Sequence, residues 1–225
     1  MLTGGISLKG SYHDINQDYV SFYTDADVSV IAVSDGLGSR NFSQYGSEAL
    51  CRSVIDMVNN TDITEASMDG ICEIVYRKWL NLLKEKNVDD CCATALFCFL
   101  YQDEIFLFQL GDGLAGVLTE NGAEVLFDDK SIHYINETDC LDSQFDVSLW
   151  KYRCFPADCF CGAVLCTDGV EISPYTEDGL KSFTEEFITG YSGMSSEEIT
   201  EHIHSWLSEW SGTDDKTIAF MISGD

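Results

Sequence analysis

Val28-Ser29-Val30-Ile31-Ala32-Val33-Ser34-Asp35-Gly36-Leu37-Gly38 decides how this chain folds. Val28–Val33 is a nearly continuous β-branched run with no polar alternation. Such a run predicts a strand covered on both faces. It stops abruptly at Ser34-Asp35-Gly36-Leu37-Gly38, a turn-forming stretch. A carboxylate at such a strand end projects near the sheet edge. The glycine behind it lets the backbone turn sharply and lets a carbonyl or ligand come close.

The same pattern recurs along the chain. Asp112 follows the apolar run Phe106–Leu110 and has a glycine on each side. Asp168 follows Ala163–Cys166 and precedes Gly169. Asp214 follows Gly212-Thr213 just before a closing apolar run, and Asp18 starts a strand after Asn16-Gln17. A single Asp-Gly is more often a plain turn than a ligand. Several, each abutting an apolar strand, predict carboxylates converging on one pocket. Acids that close do not all stay ionised without a cation. Hard divalent ions such as Mg²⁺ or Mn²⁺ suit carboxylate, carbonyl and water oxygens. The pattern points to an acidic metal site.

Outward from that stretch, Ile6–Gly10 and Asp18–Tyr23 read as strands, and Ser43–Asn59 and Ile63–Lys86 as helices. Ala93–Tyr101 and Glu104–Leu110 read as a hairpin, and Leu114–Thr119 and Ala123–Phe127 as another. Asp128–Asp142 reads as an irregular loop, and Val147–Phe155 and Phe160–Cys166 as further strands. Thr176–Gly190 and Ser195–Trp210 read as helices, and Lys216–Ser223 as a closing strand. Strands, two helices, many strands, helices and one strand make an α+β pattern with antiparallel sheets, not βαβ units. Two sheets packed as a sandwich and flanked by helices account for it. No domain boundary is visible in 1–225, so one domain is expected.

The 225 residues carry 39 acids against 12 bases, a net charge of −27. Such a chain cannot easily present the basic surface that nucleic acid or an anionic membrane requires. Most of the acidity is read as a solvated surface. The ten cysteines do not read as a disulfide framework, since many lie inside apolar runs and none has CxxC spacing. Met1–Gly5 has no basic region followed by an apolar core, and no apolar run reaches the length of a membrane span. A reducing cytoplasm is the expected compartment.

Six short segments, taken in order, resemble the motifs of the protein phosphatase 2C family. They are Gly10–Asp18 (GSYHDINQD), Val33–Gly38 (VSDGLG), Cys92–Ala95 (CATA), Gly111–Gly113 (GDG), Cys166–Val170 (CTDGV) and Thr213–Thr217 (TDDKT). Each is weak alone, but they span nearly the whole chain in family-like spacing. The resemblance implies a two-sheet β-sandwich flanked by helix pairs, with a binuclear Mn²⁺ or Mg²⁺ centre at one end. It implies that Asp35 bridges two metals and that Gly36 offers its carbonyl. Asp168 and Asp214 would hold one ion, and Asp18 would support the other. Asp112 matches a position linked to a third, weaker ion.

The implied activity is hydrolysis of phosphoserine and phosphothreonine in proteins by a metal-activated water, a signalling role that needs no cysteine nucleophile. Two departures stand out. His13 occupies the place where many relatives carry a phosphate-gripping arginine, as in a bacterial-like branch of the family. Ile172 stands where relatives often have an acid, and Glu171 is one residue short. The alternative these departures suggest is a catalytically weak, phosphatase-like binding or sensor module. Arg40 is the basic residue nearest the expected site. A monomer acting on phosphoproteins is expected. The chain's acidity predicts a preference for phosphosites in basic context, with rates that fall as salt rises.

Overall fold

A computed structural model describes residues 1–128 and 138–224. Among the described residues, ten strands form two five-stranded antiparallel sheets. The first joins β1 (Leu2–Leu8), β10 (Lys216–Ile222), β9 (Phe160–Cys166), β6 (Leu114–Thr119) and β7 (Gly122–Phe127), in that order. The second joins β2 (Tyr19–Thr24), β3 (Val28–Ser34), β4 (Ala95–Tyr101), β5 (Glu104–Leu110) and β8 (Lys151–Pro156). Helices α1 (Ser43–Asn60) and α2 (Met68–Leu82) precede β4, and α3 (Glu177–Tyr191) and α4 (Ser196–Leu207) precede β10.

Three apolar clusters show how the layers stack. Between the sheets, Ile31, Val33, Leu96 and Leu107 meet Val117, Ala163, Leu165 and Met221. On the outer face of the second sheet, Val30, Ala32, Phe97 and Phe108 pack against α1 and α2 through Leu50, Val54, Val75 and Trp79. On the outer face of the first, Val164, Ile218 and Phe220 pack against Leu180, Ile188, Ile199 and Ile203 of α3 and α4. Every residue of β3 is buried. Alternate side chains go to the sheet interface and to the helix layer, so the run beginning at Val28 has no polar face. The architecture is α+β, two antiparallel sheets flanked by helix pairs, as the sequence predicts.

Several boundaries differ from the sequence reading. β1 begins at Leu2, because Gly4 and Gly5 leave room for the Phe220 ring and the Val20 side chain. α2 begins at Met68, not Ile63, because the Ser67 hydroxyl caps it by accepting from Gly70 N–H. Val147–Leu149 is a 3₁₀ turn capped by Asp146, and the strand beyond it starts at Lys151. Much of the expected loop Asp128–Asp142 lies outside the described residues. Its end is in place, where Leu141 pairs with Ala93.

The topology brings several strand ends to one edge of the sandwich. β5 belongs to one sheet and β6 to the other, and Gly111-Asp112-Gly113 makes the crossing. Gly111 and Gly113 have φ of +89° and +100°, values that residues with a Cβ rarely adopt. A Cβ on Gly113 would also lie 2.5 Å from the Cys166 carbonyl oxygen at the end of β9. These glycines hold Asp112 against the end of the strand that leads to Asp168.

Candidate metal centre

Asp35, Asp112 and Asp168 each offer a carboxylate oxygen, and these oxygens all lie within 4.8 Å of one another. They come from the end of β3, the β5–β6 crossing and the turn after β9. Asp35 is fixed by its own backbone: its N–H donates to Thr94 Oγ1 at 2.9 Å, and its carbonyl accepts from Thr94 N–H at 2.8 Å. Asp112 Oδ2 accepts from Thr138 Oγ1 at 3.1 Å. Thr167, just before Asp168, donates its N–H to the Thr217 carbonyl at 3.0 Å, tying that turn to β10.

Asp18 joins the cluster from the start of β2. It is buried, and its Oδ2 accepts from the hydroxyls of Thr167 and Thr217, each at 2.7 Å. Its carboxyl also hydrogen-bonds that of Asp35. Burial pushes Asp18 up to about 7, against the lowering effect of the two threonine hydroxyls. Asp35 is raised well above the usual carboxylate range, first by burial and then by the charges of Asp18, Asp168 and Asp112. Two carboxyls held above their usual range, with two further carboxylates beside them, are the electrostatic mark of a cation site. The donors are oxygens throughout, as hard divalent ions require. The residues present therefore fit a Mg²⁺ or Mn²⁺ centre.

The other expected residues are placed as follows. Gly36 is buried and donates its N–H to the Gln17 carbonyl at 3.1 Å, which ties the Asp35 turn to the segment leading into Asp18. A Cβ there would sit 2.7 Å from the Ser43 backbone at the start of α1. His13 is half-buried and packs its imidazole on Gly38, beside the Asp35 turn, with its ring edge-on to Tyr12 at 4.6 Å. Asp214 is not part of the three-carboxylate group. It is exposed beside Gly169, and its Oδ1 accepts from Asp215 N–H at 2.9 Å. Arg40 is exposed, and its charge acts on Asp89, Cys92 and Cys140. Ile172 is buried in the apolar cluster of α3 and α4, and the Glu171 carboxylate faces Gly212.

Sequence reasoning passed over Asp215. It is buried, and its two oxygens accept from Gly10 N–H and Gln17 N–H, both at 2.7 Å. It thereby pins the loop carrying His13 to the start of β10. The doubled acid Asp214-Asp215 was the available signal, since a second acid entering a buried strand needs partners of its own. The threonines Thr94, Thr167 and Thr217 lie inside the quoted motifs but were given no role. Thr94 Oγ1 accepts from Asp35 N–H, and the hydroxyls of Thr167 and Thr217 donate to Asp18, all from distant sequence.

Residues 11–208 match the protein phosphatase 2C family, and the chain belongs to that family. Comparison with curated proteins returns no match. Among solved structures, the fold is shared with the serine/threonine phosphatase Stp1 from Staphylococcus aureus, at 12% identity and a TM-score of 0.71, covering 100% of this chain and 96% of that one. RsbX, solved in complex with magnesium, is 20% identical with a TM-score of 0.62, covering 98% of this chain and 94% of its own. The catalytic domain of the serine/threonine protein phosphatase PstP, solved with two manganese ions, is 14% identical with a TM-score of 0.63, covering 99% and 98%.

Proposed function

We propose that this protein hydrolyses phosphoserine and phosphothreonine in proteins at a centre holding two Mn²⁺ or Mg²⁺ ions. The observation that carries the reading is the convergence of Asp35, Asp112 and Asp168, with Asp18 bonded to Asp35, at one edge of a protein phosphatase 2C fold. Relatives solved with magnesium and with two manganese ions support it. Asp35, on which the charges of Asp18, Asp168 and Asp112 all act, would hold both ions. The Gly36 carbonyl would assist it, Asp168 and Asp214 would hold one ion, Asp18 would support the other, and Asp112 would serve a weaker third. Asp214 is the outermost member, exposed beside Gly169.

When bound, the ions supply Lewis acidity and a water of lowered pKa. The chain's own residues do the rest. Thr167 and Thr217 aim the Asp18 carboxylate, and Thr94 holds the turn bearing Asp35. His13, on the same turn's flank, donates from its imidazole to a phosphate oxygen, the task an arginine performs in many relatives. The net charge of −27 favours phosphosites flanked by basic residues.

Among the described residues no helix is long and apolar enough to cross a membrane. We place the protein in the cytoplasm, as a monomer in phosphosignalling. The test is turnover of an aryl phosphate and of a phosphothreonine peptide with Mn²⁺, lost in Asp35→Asn and Asp168→Asn. Metal binding without turnover would favour a sensor module instead. Equal rates on acidic and basic phosphopeptides at low salt would refute the substrate preference.

A further inference from the structure

The ten cysteines are all free, and two of them meet beside the acidic cluster. Ala93 is the centre of this contact. It pairs antiparallel with Gly36 on one side and with Leu141 on the other. The pairing of Ala93 with Leu141 puts Cys92 and Cys140 on the same face as diagonal cross-strand neighbours. The Cys92 Sγ donates to the Asp89 carbonyl at 3.3 Å, and the two thiols shift each other's titration in opposite directions. Cys92 is buried and its carbonyl accepts from Leu37 N–H at 3.0 Å, just beyond Asp35-Gly36. Cys140 is partly exposed and lies two residues after Thr138, which bonds Asp112.

The chemistry of this pair differs from that of the other cysteines. The neighbouring Cys140 thiol, aided by the nearby charge of Arg40, pushes the Cys92 thiol down. Burial drives Cys51, Cys98 and Cys166 upward, Cys72 goes up to about 12, and burial beside Glu104 takes Cys154 up to about 11. Cys140 shifts the other way, pushed up first by Cys92 and then by burial. Cys140, the more exposed of the two, is the sulfur an oxidant reaches, and Cys92, with the greater thiolate character, is the attacking sulfur.

We propose that Cys92 and Cys140 form a reversible oxidation site, which a hydroperoxide converts to a disulfide joining the segment paired with the Asp35 turn to the segment that contacts Asp112. Oxygen transfer to the Cys140 sulfur breaks the O–O bond and forms an S–O bond. The rest of the hydroperoxide leaves as an alcohol, or as water, with the thiol proton. The Cys92 sulfur then attacks the Cys140 sulfur. An S–S bond forms, the S–O bond breaks, and hydroxide leaves with the Cys92 proton as water. The two sulfurs lose two electrons and the hydroperoxide gains them. The site stands whether or not the protein turns over phosphoesters, because it rests on the two thiols alone.

The experiment treats the metal-loaded protein with one equivalent of hydrogen peroxide, blocks remaining thiols with an alkylating reagent and maps peptides by mass. The expected result is a cross-linked peptide pair containing Cys92 and Cys140, lighter by two hydrogens and released by dithiothreitol. It should form at least about tenfold faster than oxidation of any other cysteine. In Cys140→Ser, whose partly exposed position tolerates the change, Cys92 should be fully alkylated and no bridge should form. Circular dichroism of that variant confirms folding. A bridge elsewhere, such as Cys159 to Cys161, or two free thiols at 92 and 140 after other cysteines have oxidised, would overturn the proposal.

Discussion

The body of β3 and the end of β3 obey opposite rules. Along the body, Val30, Ile31, Ala32 and Val33 are fully buried, against α1 and α2 on one side and the first sheet on the other. One residue past the end, Asp35 meets Asp18, Asp112 and Asp168, and burial works against it. The body gains free energy by losing water, and the end loses free energy for the same reason. The buried strands thus build a scaffold stable enough to hold a cluster of acids that would otherwise repel.

The largest expected effect lies in the apolar body of the sheet. Phe97→Ala removes a fully buried ring stacked 4.6 Å from Phe108. We expect a loss of about 3–5 kcal/mol of stability by urea unfolding. A loss below about 1 kcal/mol would mean the helix layer does not seal the sheet.

At the end of the strand the sign reverses. Asp18 has its carboxyl raised in the folded protein to about 7, so the folded state keeps a proton that the unfolded chain releases near pH 4. The metal-free protein is therefore favoured at low pH, and that advantage disappears as pH climbs from about 4 through about 7. Asp35, also raised, acts in the same direction. We expect the metal-free protein to unfold at a higher temperature at pH 5.5 than at pH 7.5. We expect Mn²⁺ to stabilise it more at pH 7.5, because ligands must lose protons to bind. Asp18→Asn should likewise raise metal-free stability at pH 7.5, by roughly 1–3 kcal/mol. A metal-free protein equally stable at both values would contradict the shared burial of these acids.

Asp215 is a buried acid of another kind, each of whose two oxygens accepts from a backbone N–H. Asp215→Ala should cost about 2–4 kcal/mol, and Asp215→Asn should recover part of the loss. The smallest effect belongs to the helix layer. Ser67→Ala removes the cap of α2 and should cost about 1 kcal/mol while leaving metal affinity unchanged.

Much of this was legible because burial and period are local signals. β3 announced itself by lacking a polar face, and Asp35, Asp112 and Asp168 by ending apolar runs next to glycine. The start of β1 was not legible, because Gly4 and Gly5 read as poor strand formers. Their value appears only once Phe220 and Val20 arrive from distant sequence. Asp214 and Asp215 look alike in the chain and differ in space, one exposed and one buried. Partners 205 and 198 residues away decide which acid is structural. The Cys92–Cys140 contact was hidden for the same reason.

Calorimetric titration of Mn²⁺ into the metal-free wild type and into Asp35→Asn tests the proposed divalent-cation site at the strand ends. We expect the wild type to bind about two ions with proton release, and the substitution to weaken affinity at least about 100-fold. Equal binding by the two proteins, or none by the wild type, would contradict that site.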